Sequence, residues 1–391
     1  MKSKKVVIAL SGGVDSSVAA YLLKKQGYSL IGLFMKNWHD ENATISDECP
    51  WLEDSNDAML VADKLNIPFK AVDLSKEYKK RIIDYMFKEY SNGRTPNPDI
   101  LCNKEIKFDV FMKLALSLDA DYVATGHYSQ IELNNNSEYK LLQGIDKTKD
   151  QSYFLCQLNQ KQLSKILFPI GHLKKSEVRD IAKKNNLITA DKKDSQGLCF
   201  VGKIRLPEFL QQKLKKKIGD IIEIPSNSKV FEFKSQTDHS RLIDLSKKYK
   251  FSKSDGKIIG QHNGAYYYTI GQRKGLAVGG YDKPIFVIGI DTKSNEIFVG
   301  KGKNHPGLIK KAIQIDIATI NWVNDSYNID LITTLKLKAR IRYRQPLQDI
   351  IIHIYGKKLY VEFKKHQTAI TSGQFLAFYH KKELIASSVI P

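Results

Sequence analysis

The stretch Val6-Val7-Ile8-Ala9-Leu10-Ser11-Gly12-Gly13-Val14-Asp15-Ser16-Ser17-Val18-Ala19-Ala20-Tyr21-Leu22-Leu23 decides the fold. It opens with an apolar run of strand length, passes a Gly-Gly turn and continues with apolar residues at helical spacing. Ser16 and Ser17 are placed to cap that helix. A strand that feeds a helix through such a turn presents backbone N–H groups and hydroxyls at a positive helix end. That setting suits an anion such as a nucleotide phosphate. The turn is not an ATPase P-loop, because no Gly-Lys-Ser/Thr follows the glycines.

Outward from this stretch, strand-like segments at 29–35, 69–74 and 122–125 alternate with helical patterns at 54–65, 75–90 and 107–118. The rhythm predicts an α/β fold with a Rossmann-like parallel sheet and ligands at the carboxyl ends of its strands. Both the first turn and Thr125-Gly126-His127-Tyr128 fall at such ends. Residues 139–142 pair with 130–133, and 150–187 return to helix, with the run Leu163 to Phe168 stopped by Pro169. After about residue 203 the rhythm gives way to short β-like pieces and glycine turns, including a hairpin over 285–300. We therefore expect an N-terminal catalytic domain over 1–202, a small central domain over 203–284 and a C-terminal antiparallel β-barrel over 285–391. The lysine- and serine-rich stretch 227–256 reads as a mobile insertion loop in the central domain.

The four cysteines form no CxxC pair, which fits a reducing cytoplasm rather than a disulfide scaffold. No run approaches the ~20 apolar residues of a membrane helix, and the first residues do not resemble a signal peptide. With 62 basic against 42 acidic residues, the net charge of +20 favours a polyanionic partner, nucleic acid first. A general lysine and asparagine bias is the alternative. In Leu335 to Gln345 the alternation puts Lys336, Lys338, Arg340, Arg342 and Arg344 on one strand face. That face reads either as a solvated barrel exterior or, as we prefer, as a phosphate-contacting surface that positions RNA.

Two cysteines stand in polar loops. Cys102 follows Asn97-Pro98-Asp99-Ile100-Leu101, where Pro96 and Pro98 stiffen the approach and Lys104 favours ionisation. Cys199 lies in Asp194-Ser195-Gln196-Gly197-Leu198-Cys199-Phe200. Cys156, in Tyr153-Phe154-Leu155-Cys156, reads as core. His39 and Cys49 are too few ligands for zinc, and we expect no metal site built by the protein alone.

The first turn resembles the PP-loop of the ATP-pyrophosphatase superfamily. A closer resemblance, to the bacterial tRNA-specific 2-thiouridylases, rests on a series of motifs in order. They are Ser11 to Ser17, Phe34-Met35-Lys36-Asn37-Trp38, Thr95 to Asn103, Thr125 to Tyr128, Lys149-Asp150-Gln151-Ser152-Tyr153 and Gly197-Leu198-Cys199-Phe200. Gly271-Gln272-Arg273-Lys274-Gly275-Leu276, Arg342-Tyr343-Arg344-Gln345 and Ser372-Gly373-Gln374 carry it almost to the C-terminus. The stretch 227–256 is longer than the family pattern.

The resemblance implies adenylation of the C2 oxygen of a wobble uridine by ATP, in tRNAs for Lys, Glu and Gln. A urea-like carbonyl cannot expel oxide, whereas adenylated oxygen leaves as AMP and persulfide sulfur can replace it. It also implies roles for individual residues. Ala9, Leu10, Ser11, Gly12, Gly13, Val14, Asp15 and Ser16 cradle the ATP phosphates, Asp15 lies near Mg2+, and Met35 and Gly126 lie at the adenosine. Cys199 carries the persulfide, Cys102 is the partner nucleophile, and the two form a transient disulfide. Asp99 is the general acid/base beside Asn97 and Pro98 at the target base. His127, Lys149, Asp150, Gln151, Arg342, Tyr343 and Gln374 contact tRNA. A sulfur-relay protein would supply the persulfide to a cytoplasmic, monomeric enzyme. The rival readings are a PP-loop small-molecule ligase of the argininosuccinate synthase type, a lysidine synthetase, and a cytidine thiolase. The first leaves both loop cysteines idle, and a cluster-dependent thiolase needs cysteine ligands at a spacing absent here. A basic RNA-binding protein that merely keeps an ATP fold is the non-enzyme alternative.

Overall fold

A computed structural model describes residues 3–37, 50–194, 206–232, 237–327 and 337–391. Strands β1 (Lys5–Ala9), β2 (Ser29–Lys36), β3 (Phe69–Asp73), β4 (Tyr122–Ala124) and, later in the chain, Ile166–Leu167 form a parallel sheet. Their order is β3-β2-β1-β4 followed by Ile166–Leu167, so the strand that enters the Gly-Gly turn is central. Alternate side chains of β1 serve opposite cores. Val7 and Ala9 join one that contains Cys102, Phe108 and Phe111, while Val6 and Ile8 join one against α1 (Val14–Lys25) and α2 (Pro50–Lys64). Both faces are covered, which is why β1 reads as an unbroken apolar run.

Strands β5 (Ser129–Leu133) and β6 (Tyr139–Gln143) pair as expected, but they do not stay in the first domain. β6 pairs with Glu383–Val389, so this excursion extends the C-terminal antiparallel sheet. The expected long helix over 150–187 is a correction. It is broken into a turn at Ser152–Leu155, a capped turn at Gln160–Leu163, β7 (Ile166–Leu167) and α3 (Lys175–Lys184). Asn159 closes a capping box with Gln162, and the apolar pair before Pro169 adds an edge strand to the parallel sheet instead of a helical turn.

The middle of the chain forms a four-stranded sheet from β8 (Gly219–Glu223), β9 (Lys257–His262), β10 (Ile285–Asp291) and β11 (Glu296–Lys301). The hairpin over 285–300 is present, but it pairs with β8 and not with the C-terminal strands. It therefore lies in the central sheet, on the other side of the boundary expected at 284/285. The stretch 227–256 is likewise not a plain loop. Its described residues include α4 (Asp238–Ser246), capped by Thr237 and seated on the last sheet. There Arg241 forms a bidentate pair with Glu362, and the His239 ring stacks on Tyr355 at 4.0 Å. One buried apolar residue, Leu242, holds a helix whose ends are set by polar contacts, so its sequence shows little periodicity.

The C-terminal part contributes β12 (Ile309–Asp316), β13 (Asn321–Trp322), β14 (Leu337–Arg340), β15 (Gln348–Tyr355), β16 (Lys358–Thr368), β17 (Phe375–His380) and β18 (Glu383–Val389). All of their pairings are antiparallel, in the order β12-β16-β15-β14-β17-β18-β6-β5, with β13 alongside β18. No described helix is long and apolar enough to cross a membrane.

Candidate active site

At the end of β1, Gly12 adopts φ +73°, and a side chain there would collide with the Asp54 carbonyl. Gly13 is the N-cap of α1 and has no side-chain cap bond. This corrects the expectation that Ser16 and Ser17 cap the helix. Both hydroxyls turn back and donate to the Gly13 carbonyl, at 3.0 and 2.9 Å. Ser16 also accepts from the Ser11 N–H at 3.1 Å, which holds the turn closed on itself. The N-terminal end of α1 is thus left without a side-chain acceptor, as an anion site requires. Gly126, at the neighbouring strand end, is pressed against the same turn. A Cβ there would stand 2.7 Å from the Asp15 carbonyl carbon and the Ser16 nitrogen. Met35 and Ala9 are buried together in the core that also holds Cys102.

Asp15 is held by three donor contacts. Tyr128 donates to Oδ1 at 2.7 Å, and Lys175 Nζ reaches both oxygens at 2.7 and 2.8 Å. Lys175 also pairs with Asp194 at 2.8 Å, and Asp194 takes Lys149 at 2.7 Å and Arg179 at 3.0 Å. Burial opposes ionisation of Asp194, but the Lys149 and Lys175 hydrogen bonds outweigh it and pull its carboxyl down to about 2. Burial and the adjacent Asp15 charge push the Tyr128 phenol up, so it remains a donor. Lys175, Arg179 and Tyr128 were not singled out by sequence reasoning as site groups. Tyr128 was visible only as the last residue of the Thr125–Tyr128 motif, and Lys175 only as part of a lysine pair opening a helical pattern, with its partner Asp15 160 residues away.

The Cys102 segment is built as its prolines suggest. Asn97 is the N-cap of Pro98–Leu101, with Pro98 at the first position and the Asn97 side chain accepting from the Ile100 N–H. Cys102 opens a π-helical stretch, Cys102–Phe111, and is fully buried. Lys104 donates to Gln157 at 3.3 Å. The loop before Asn97 is a meeting point of all three parts of the chain. The Thr95 hydroxyl lies 3.1 Å from that of Thr269, beside the Gly271–Leu276 motif, and the Thr95 N–H donates to the Ser372 carbonyl. Gln374 donates to the carbonyls of Thr95 and Pro96 and accepts from Asn97. Gly373, at φ +89°, allows the approach, since a Cβ would lie 2.9 Å from the Thr95 carbonyl oxygen. Cys199 lies outside the described residues.

Comparison with known proteins assigns the chain. Residues 4–203 match the family model described as tRNA methyl transferase HUP domain, 245–301 the tRNA methyl transferase PRC-barrel domain, and 313–390 the aminomethyltransferase beta-barrel domain. The tRNA-specific 2-thiouridylase MnmA of Christiangramia forsetii is 61% identical, with 99% of this chain and 100% of that protein covered. The chain belongs to the tRNA-specific 2-thiouridylase family. MnmA of Flavobacterium johnsoniae is 58% identical, covering 99% of this chain and 100% of the relative. MnmA of Karelsulcia muelleri is 50% identical, covering 100% and 99%.

Within this family framework, the residues expected at tRNA fall into two groups. Lys149, Gln151, Arg342, Tyr343, Asn97, Pro98 and Gln374 are at least partly open. Arg342 donates to the Thr368 and Ala369 carbonyls, and Tyr343 lies against Phe154 at 4.3 Å. His127 and Asp150, also expected at tRNA, are buried and engaged internally. His127 bonds Thr125 at 2.7 Å between Phe108 and Phe168, and burial, then the Lys107 charge, hold its pKa well below the ordinary value. Asp150 is paired with Arg340. The strand expected over 335–345 is corrected in its extent. The strand ends at Arg340, a turn follows with Arg344 at φ +63°, and Leu335 and Lys336 lie outside the described residues. Lys338 is exposed and paired with Asp349, whereas the segment around Asp150 covers the same face at Arg340.

Proposed function

We propose that the protein is a tRNA uridine 2-sulfurtransferase that consumes ATP and yields 2-thiouridine, AMP and pyrophosphate. The observation that carries this reading is the seating of Cys102. Its loop is clamped by the central and C-terminal parts at Thr95, in the same domain whose central strand feeds an uncapped helix end. The domain descriptions speak of methyl transfer, but the full-length relatives named above are 2-thiouridylases. An open helix end and a cysteine in the same domain also suit phosphate and sulfur chemistry.

Residues 9–16 would receive the phosphates at the α1 N-terminus, with Met35 and Gly126 toward the adenosine. Among the described residues no group of three or more His, Cys, Asp or Glu could hold a metal, so Mg2+ would be held by the phosphates and Asp15, as is usual for this ion. When bound, Mg2+ would neutralise phosphate charge. Lys175 would turn from Asp15 to the phosphate oxygens as nucleotide enters. The flipped uridine would lie by Asn97, Pro98 and Asp99, with Asp99 moving protons. Its C2 oxygen attacks the α-phosphorus and expels pyrophosphate. Cys102 then attacks the Cys199 persulfide at the Cys199 sulfur, forming the disulfide and releasing hydrosulfide. The hydrosulfide adds at C2 and AMP leaves. A reductant reopens the disulfide, which fits a cytoplasmic enzyme. Lys149, Gln151, Arg342, Tyr343 and Gln374 would meet tRNA, a sulfur-relay protein would recharge Cys199, and one chain would suffice.

Cys102→Ser and Cys199→Ser test the reading. Each variant is expected to bind tRNA and ATP as the parent does and to form no 2-thiouridine in a nucleoside assay. Full activity in both would refute the persulfide route.

A further inference from the structure

Lys149, Asp150 and Gln151 are adjacent, yet their side chains serve two domains. Asp150 and Arg340 are 3% and 4% exposed, and their pair spans 2.7 Å. The Arg340 guanidinium also donates to Ser152 at 3.0 Å and to the Tyr379 hydroxyl. The other Asp150 oxygen accepts the Gly144 and Ser152 N–H groups. Tyr153 adds bonds to the Ile341 and Phe375 carbonyls. The segment 150–153 is therefore fixed to β14 and β17.

Its flanking residues reach the nucleotide turn by two routes. Lys149 holds Asp194, which shares Lys175 with Asp15. Gln151 accepts the Tyr128 N–H at 2.9 Å, and the Tyr128 hydroxyl donates to Asp15. Both routes end on one carboxylate. Stability alone is a weak reason for a buried ion pair, since apolar residues of similar volume do as well or better. We propose that the Asp150–Arg340 pair is a positioning device that ties the C-terminal sheet to Asp15, an inference that rests on reading residues 9–16 as the ATP site. Asp150 acts through Lys149 and Gln151.

The test uses the full-length protein, a non-hydrolysable ATP analogue with Mg2+, and no tRNA. Arg340→Met combined with Asp150→Leu removes both charges and leaves none orphaned. This variant is expected to keep the parent's circular dichroism and tRNA affinity while binding the analogue about tenfold more weakly, the scale of coupling between contacting groups. In a Lys149→Ala background the same pair of changes should weaken analogue binding by less than about threefold, because one route is already cut. Tyr379→Phe keeps the pair but removes the hydroxyl that Arg340 uses, and should weaken analogue binding by about threefold even if the double variant does not fold. Unchanged analogue affinity in Tyr379→Phe, or in a folded double variant, overturns the proposal. So does a folded double variant that loses tRNA affinity alone, which would make Asp150 an RNA contact. If the parent itself bound no analogue, the reading of the turn as an ATP site would fall instead.

Discussion

Two ion pairs of equal length, Asp15–Lys175 and Asp150–Arg340, both span 2.7 Å and lie in opposite surroundings. The side chains of the first are 31% and 12% exposed, those of the second 2% and 5%. At the water's edge a carboxylate can trade its lysine for a metal, and the lysine can trade its carboxylate for phosphate, at little cost. In the interior neither partner can leave without stranding a charge. The open pair is therefore suited to a step that must exchange partners, and the sealed pair to a geometry that must not change.

Breaking the sealed pair from one side should give the largest effect. Arg340→Ala strands Asp150 and is expected to lower stability by about 3–5 kcal/mol, read as a shift of the urea midpoint. A loss under about 1 kcal/mol would mean that water reaches the pair and the contrast is false. Lys175→Gln should do the reverse. Stability should stay within about 1 kcal/mol while ATP-dependent pyrophosphate release falls about 100-fold. A stability loss matching that of Arg340→Ala would show that the open pair is structural.

His127 sharpens the contrast as a buried group with a like charge, Lys107, nearby. Its folded pKa lies well below 6.5, so as pH falls through 6.5 the unfolded chain takes up a proton that the folded chain refuses. Stability present above that pH is then lost at up to about 1.4 kcal/mol per pH unit. The difference between parent and His127→Phe, followed by denaturant titration from pH 7 to 5, should show this slope. The smallest effect belongs to the exposed pair Lys338–Asp349. Lys338→Ala should shift stability by less than about 0.5 kcal/mol in the same titration at pH 7.

Much of the first domain was legible because its signals are local. A buried central strand must be apolar throughout, and a chain that turns within two residues needs glycine, as Gly12 at φ +73° shows. Asn97 before Pro98 likewise announces a helix start. What was not legible depends on partners far along the chain. Alternation put Arg340 and Lys338 on one face, but only the fold brings Asp150 over one and leaves the other in water. Lys175 belongs to the site because α3 packs beside α1, a fact no spacing encodes. The Ser16 and Ser17 hydroxyls had two uses open to them, capping or back-bonding, and local sequence does not choose between them.

The most direct measurement of the central claim is nucleoside mass spectrometry on tRNA incubated with the purified protein, ATP, Mg2+ and a sulfide source, with pyrophosphate counted alongside. The account predicts one 2-thiouridine gained for each pyrophosphate released. Sulfur incorporation without ATP cleavage, or neither product at all, would contradict it.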